Sequence, residues 1–415
     1  MKLSNRFLTS LAAVSVLALA GVGNSVPAHA SSLSPEPASG SSERASDSSE
    51  GVPDSSKGAP GSQEGVPKGL ERFYKQKLRW SECKGKDRAG MQCANVKVPL
   101  DYKKPDGKTI AVAMLKVPAK SGKPIGSLFV NPGGPGSSGT GFASAASWIF
   151  SLEIRDKYDV VGFDPRGVGE SAAVECVDDA TLEKYVDADY DVSTVAGRAA
   201  QKRDAKKIAA QCMKHSGRLL RYVGTESAAR DMDVMRSLVG DKKLNYFGFS
   251  YGTSLGGMYA DLFPKKVGRM VLDSAVDTGM RDSRRAYEQV LGFEHAFKRY
   301  AQYCVNTGAC PLGSTVDAAR KKMRALFDQA FKKPFPTSNP NRKLTRSLLT
   351  SEVRQHLYSD TSWPDLDEKL RKLVKENDGS AFVESGSDSG PTASSNGAEA
   401  LIAINCADYV LDPQS

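Results

Sequence analysis

Six short runs rich in β-branched and aromatic residues stand out against the polar background of the chain: Val96 to Val98, Ile110 to Val117, Ser127 to Asn131, Tyr158 to Phe163, Leu244 to Phe249 and Val267 to Leu272. Their lengths and the turn residues that bound them predict β-strands. Between the last three runs the apolar period lengthens. In Thr225 to Val239, the residues Ala228, Met232, Met235 and Val239 fall on one stripe of a helix, with Thr225 placed to cap its N-terminus. Strands alternating with helices predict a mainly parallel sheet covered by helices on both faces.

After Asp277 the pattern changes. Residues 281–400 are charged and helical in period, interrupted by Pro334, Pro336 and Pro340 and by a Gly/Ser-rich stretch from Ser385 to Gly397. They predict a helical cap inserted in an α/β core that occupies 69–280, with 401–415 leading back toward that core. Met323, Leu326, Phe327, Ala330 and Phe331 share one helix face, which we assign to packing within the cap.

The N-terminus reads differently again. Lys2 and Arg6, an apolar run from Phe7 to Val22, and Ala28-His29-Ala30 have the three-part form of a secretory signal peptide cleaved after Ala30. Residues 31–68 are Ser, Gly, Pro and acidic residues with almost nothing large to bury, as in a linker or pro-segment. No later run approaches the roughly 20 apolar residues that a membrane span needs. The expected product is a secreted protein without a membrane anchor.

The formal charge of +9 is spread along the chain, with no basic run interleaved with aromatics, so nucleic acid is not an expected partner. Seven cysteines in an exported chain favour disulfides. Cys83 with Cys93, Cys304 with Cys310 and Cys176 with Cys212 are plausible pairs by spacing, although spacing does not fix connectivity. Cys406 is left over. No Cys or His cluster suggests a metal, and no cofactor is expected.

Gly248-Phe249-Ser250-Tyr251-Gly252 joins a predicted strand directly to a predicted helix, the setting of a nucleophile elbow. Glycines on either side let the backbone turn sharply, so that Ser250 stands clear with its hydroxyl at a helix N-terminus. The motif is repeated with an overlap as Gly252-Thr253-Ser254-Leu255-Gly256, but Ser254 would lie inside the helix, facing packing or a backbone carbonyl. Asn131-Pro132-Gly133-Gly134-Pro135-Gly136 follows another strand and suits an oxyanion loop, with the backbone N–H of Gly133 or Gly134 as one donor and that of Tyr251 as the other. Asp164 and Arg166, after the strand Tyr158 to Phe163, are expected to fix their turn through local hydrogen bonds.

In their order along the chain, Trp80, the cysteines, Val98-Pro99-Leu100-Asp101-Tyr102, the Gly-Gly-Pro-Gly loop, Asp164-Pro165-Arg166-Gly167, the Ser250 elbow, Tyr358-Ser359, Trp363-Pro364 and Ile404-Asn405-Cys406-Ala407-Asp408 resemble the secreted bacterial tripeptidyl aminopeptidases, relatives of the prolyl iminopeptidases. The resemblance implies an α/β-hydrolase fold and a monomeric serine peptidase. It would release short peptides from substrates with a free N-terminus, the cap narrowing access to chain ends. It also places a triad acid and histidine on loops after the last core strands. Of the four histidines, His29 leaves with the signal peptide, His215 precedes the nucleophile, and His295 and His356 fall in the cap. Asp277 follows a strand but precedes the family's position for the acid. The acid, the histidine, two core strands and the partner of Cys406 are therefore expected beyond Ser415. A secreted esterase or lipase with the same machinery, and a non-catalytic remnant, are the alternatives. Glu294, Asp360, Asp365 and Asp367 are cap candidates for a carboxylate that holds the substrate's ammonium, and the sequence does not choose among them.

Overall fold

A computed structural model describes residues 66–384 and 396–409. The expected signal peptide, most of the Ser/Gly-rich segment that follows it, residues 385–395 and residues 410–415 lie outside the described residues. One sheet organises the core: β1 (Ser81–Glu82), β2 (Gln92–Pro99), β3 (Thr109–Val117), β4 (Ser127–Asn131), β5 (Asp159–Phe163), β6 (Leu244–Phe249) and β7 (Val267–Asp273). Across the sheet they run β1-β2-β3-β5-β4-β6-β7. The β5, β4, β6 and β7 strands are mutually parallel, while β1, β2 and β3 add antiparallel pairings at one side. All six expected strands form: β2, β3 and β7 extend past their apolar cores because polar flanks continue the hydrogen-bond ladder, β4 and β6 keep the expected bounds, and β5 starts one residue later than expected.

The helices Val195–His215, Thr225–Leu238 and Tyr251–Leu262 pack with the sheet around Val96, Met114, Phe129, Phe163, Met232, Tyr246 and Leu255. Each large apolar side chain so buried contributes about 1.5–3 kcal/mol. Thr225 does not cap its helix: the N-cap is Gly224, which has no side chain to offer. The Thr225 hydroxyl is turned instead toward Tyr251 and Asp408.

Five helices between Asp282 and Glu384 build a second apolar cluster, among them Tyr300, Met323, Leu326, Ala330, Leu349 and Phe382. The expected stripe divides as amphipathic packing requires. Met323, Leu326 and Ala330 are buried, Phe327 packs at the margin, and the Phe331 ring lies under the Arg346 guanidinium. This helical unit is tied to the helix Asp179–Asp187 and its C-terminal extension by Arg342, which pairs with Asp187 at 3.0 Å and Glu183 at 2.7 Å, and by Arg346 with Asp189. Disulfides join Cys83 to Cys93, Cys176 to Cys212 and Cys304 to Cys310. Among the described residues no helix is long and apolar enough to cross a membrane, and no group of side chains is disposed to hold a metal ion.

Candidate active site

Ser250 lies between β6 and the helix Tyr251–Leu262, with φ +51° and ψ −120°. This left-handed region favours glycine and costs a serine of order 1–3 kcal/mol, so surrounding structure must hold it there. Two backbone bonds do so: the Ser250 N–H donates to the Asp273 carbonyl at 3.0 Å, and the Thr253 N–H donates to the Ser250 carbonyl at 2.8 Å. The result is an exposed hydroxyl at the mouth of a helix N-terminus.

The overlapping serine-glycine motifs have distinct causes. A Cβ on Gly248 would lie 2.6 Å from the Gly252 carbonyl oxygen, so the elbow closes only over glycine. A Cβ on Gly256 would lie 2.7 Å from both Leu272 and the Tyr246 ring, so the second motif marks close seating of the helix on β6 and β7. Ser254 is buried with its Oγ unpartnered, inside the helix and away from any opening.

The loop Asn131–Gly136 rests directly on the elbow. A Cβ on Gly133 would lie 2.5 Å from the Phe249 carbonyl oxygen and 3.2 Å from Tyr251 N. The two expected loop donors differ in availability. The Gly133 N–H donates to Asn131 Oδ1 at 2.9 Å, whereas the Gly134 N–H has no acceptor among the described residues. Tyr251 is the first residue of its helix, where amides lack an intrahelical acceptor. The Tyr251 N–H is thus left open next to Ser250, and the Gly134 N–H is left open within the loop that packs on the elbow.

Asp164 fixes the exit of that loop. Its Oδ1 accepts from the Ser138 hydroxyl at 2.7 Å, the Thr140 N–H at 3.1 Å and the Thr140 hydroxyl at 3.0 Å, and its Oδ2 accepts the Glu170 N–H. Arg166 departs from the expectation of local bonding. It is fully buried and forks onto Asp231 at 2.7 and 2.6 Å, and donates to the carbonyls of Pro99, Leu100 and Tyr222. Sequence reasoning missed Asp231 because in the run Arg230-Asp231-Met232-Asp233 it reads as one more charge on the polar face of the helix, and only the fold brings Arg166 to it.

Histidine and acid candidates lie elsewhere. His356 bonds the Glu352 carbonyl and Asp365, each at 2.7 Å, within the helical unit. His215 ends the helix Val195–His215, and His295 lies within the helix Asp282–Asn306. Asp277 accepts the Gly279 N–H at 2.8 Å in a local turn. Of the proposed ammonium carboxylates, Glu294 faces Arg320 at 3.6 Å, Asp365 faces His356 and Lys369, and Asp367 accepts the Tyr300 hydroxyl. Asp360 opens a short 3-10 turn at the surface. Among the described residues none of these groups is hydrogen-bonded to Ser250.

A strained serine at a strand-to-helix elbow, with an open helix N-terminal amide next to it and a glycine loop packed on the elbow, has the form of a site that stabilises an oxyanion on an acyl group. The family model for the alpha/beta hydrolase fold matches residues 126–374. This chain belongs to the α/β-hydrolase family. It is similar to the serine protease Hip1 of Mycobacterium tuberculosis, 35% identical over 353 residues that cover 80% of this chain and 67% of the relative. The tripeptidyl aminopeptidase of Streptomyces coelicolor is 36% identical over 334 residues, covering 77% of this chain and 60% of its own length. Carboxylesterase B of Mycobacterium tuberculosis is 38% identical over 327 residues, covering 76% and 62%. The chain thus spans 60 to 67% of the length of the curated relatives it matches, and it stands within a family of serine hydrolases.

Proposed function

We propose that the protein is a secreted serine exopeptidase that releases short peptides, tripeptides foremost, from free N-termini. Ser250 attacks the scissile carbonyl, an acyl-enzyme forms, and water hydrolyses it. The tetrahedral oxyanion is received by the N–H groups of Tyr251 and Gly134, with Gly133 holding the loop against the elbow. Each such donor is worth about 2.7–4 kcal/mol of transition-state stabilisation.

The observation that carries this reading is the Ser250 backbone at φ +51°, next to the Tyr251 amide and against a loop whose Gly134 amide has no acceptor among the described residues. Similarity to a tripeptidyl aminopeptidase supports the substrate class, and three disulfides support an oxidising compartment. The histidine base and the acid that orients it belong, in this proposal, to polypeptide beyond Ser415. That polypeptide would pair with the outer edge of β7, which has no strand partner among the described residues.

The test is hydrolysis of tripeptidyl anilides with free and with acetylated N-termini by the protein from its native source. Cleavage confined to free N-termini supports the proposal, and equal cleavage of both contradicts it. The similarity to carboxylesterase B favours a second reading, an esterase on the same elbow. It predicts efficient turnover of simple acyl esters and indifference to N-terminal blocking.

A further inference from the structure

Three buried or half-buried aspartates surround the elbow helix, and they differ in what balances their charge. Asp231 is held by Arg166, and Asp233 by Arg236 and Lys266, each at 2.8 Å. Asp408 has no cation partner among the described residues. Its Oδ1 accepts the Thr225 N–H at 2.7 Å, and its Oδ2 accepts the Thr225 hydroxyl at 2.5 Å. The same hydroxyl lies 2.6 Å from the Tyr251 phenol oxygen, so Asp408 is one side chain removed from the residue that follows Ser250.

The helix Gly397–Asp408 runs from the oxyanion loop to this cluster. A Cβ on Gly136 would lie 2.9 Å from Leu401 N, and one on Gly224 would lie 2.8 Å from Asp408 Oδ1. These contacts gather at the carboxyl ends of β4 and β6, the side of an open α/β sheet where ligands bind. Glu399 on the same helix shows the contrast. It is buried and accepts the N–H groups of Cys176 and Val177, a closed arrangement. Asp408 stays half open to solvent, and each of its oxygens keeps a second lone pair. Burial pushes its carboxyl above the ordinary range, opposed only by the two donors of Thr225, so an arriving cation would relieve an unbalanced charge.

The geometry points to Asp408 as the carboxylate that receives the ammonium of a substrate's free N-terminus. This inference rests on the exopeptidase reading above, and gives it a residue that the four cap acids do not supply. The bland role for Asp408 is to cap the helix Thr225–Leu238, whose own N-cap is glycine.

The two roles separate in Asp408→Asn, which keeps an oxygen for Thr225 and removes the charge. With the native-source protein as reference, we expect kcat/KM for a free tripeptidyl anilide to fall about 10- to 100-fold, the scale of a charged hydrogen bond. Turnover of a small acyl ester, which carries no ammonium, should stay within about twofold. Asp408→Ser, which also caps, replaces the Asn variant if that one does not fold. Equal losses on the free tripeptidyl anilide and on the acyl ester would overturn the inference and leave Asp408 as a positioning residue for Thr225 and Tyr251. A wild-type protein indifferent to blocking would overturn the exopeptidase reading itself, and the ammonium site with it.

Discussion

On the β2–β3 side of the sheet, Val96, Val98, Val112 and Leu115 are fully buried, and beneath them Arg166, Asp231 and Tyr102 form a closed charge and hydrogen-bond network. At the other edge β7 leaves Val271 53% and Leu272 38% exposed, with no strand beyond it among the described residues. Yet β7 is the strand that holds the elbow, since the Asp273 carbonyl takes the Ser250 N–H and Leu272 lies against Gly256. The closed side carries stability. In our proposal the open side carries the chemistry and is where the remaining catalytic groups arrive.

Four substitutions separate the two sides. Ser250→Ala should lower kcat by a factor on the order of 10⁴ or more with unfolding temperature nearly unchanged, because it removes the nucleophile without touching the core. Residual activity near wild type in a peptide-hydrolysis assay would place the chemistry elsewhere. Asp231→Ala should cost about 3–5 kcal/mol in denaturant unfolding, because it leaves Arg166 buried without its counter-charge. Gly256→Ala should cost about 1–3 kcal/mol, since the added methyl meets Leu272 and the Tyr246 ring at 2.7 Å. By contrast Val271→Thr, at the open edge, should stay within about 0.5 kcal/mol. A larger loss there would mean that the β7 edge is covered in solution.

A pH series sharpens the closed side further. Burial pushes the Asp233 carboxyl up, but Arg236, Lys266 and the Tyr74 hydroxyl outweigh it and hold the group below the usual carboxylate range. A depressed folded-state value contributes stability that is present above the ordinary carboxylate range and is lost as pH falls toward the folded-state value. Asp233→Asn should therefore flatten the loss of stability below about pH 4. An unchanged acid limb would show that other carboxylates dominate it.

Much of this was legible in the sequence because it depends on local pattern. The strands follow from apolar runs, the elbow backbone from two glycines around Ser250 at a strand-to-helix junction, and the close seating of the loop after β4 from its consecutive glycines. What depends on long-range pairing was not legible. Arg166 was read as a local brace, and its true partners lie more than 50 positions away in the chain. Thr225 was read as a helix cap, and nothing near it in sequence points to Asp408, which lies 183 positions further on. That the Gly133 N–H is taken by Asn131 depends on a side-chain rotamer that no sequence pattern encodes.

The central claim is that Ser250 is an activated nucleophile in the mature protein. The most direct measurement is to treat the protein from its native source with a fluorophosphonate, then read the modified residue by peptide mass mapping. The account predicts one stoichiometric adduct on Ser250, formed with loss of peptide hydrolysis in parallel. An active protein that takes no adduct, or takes it on Ser254 or another serine, would contradict it.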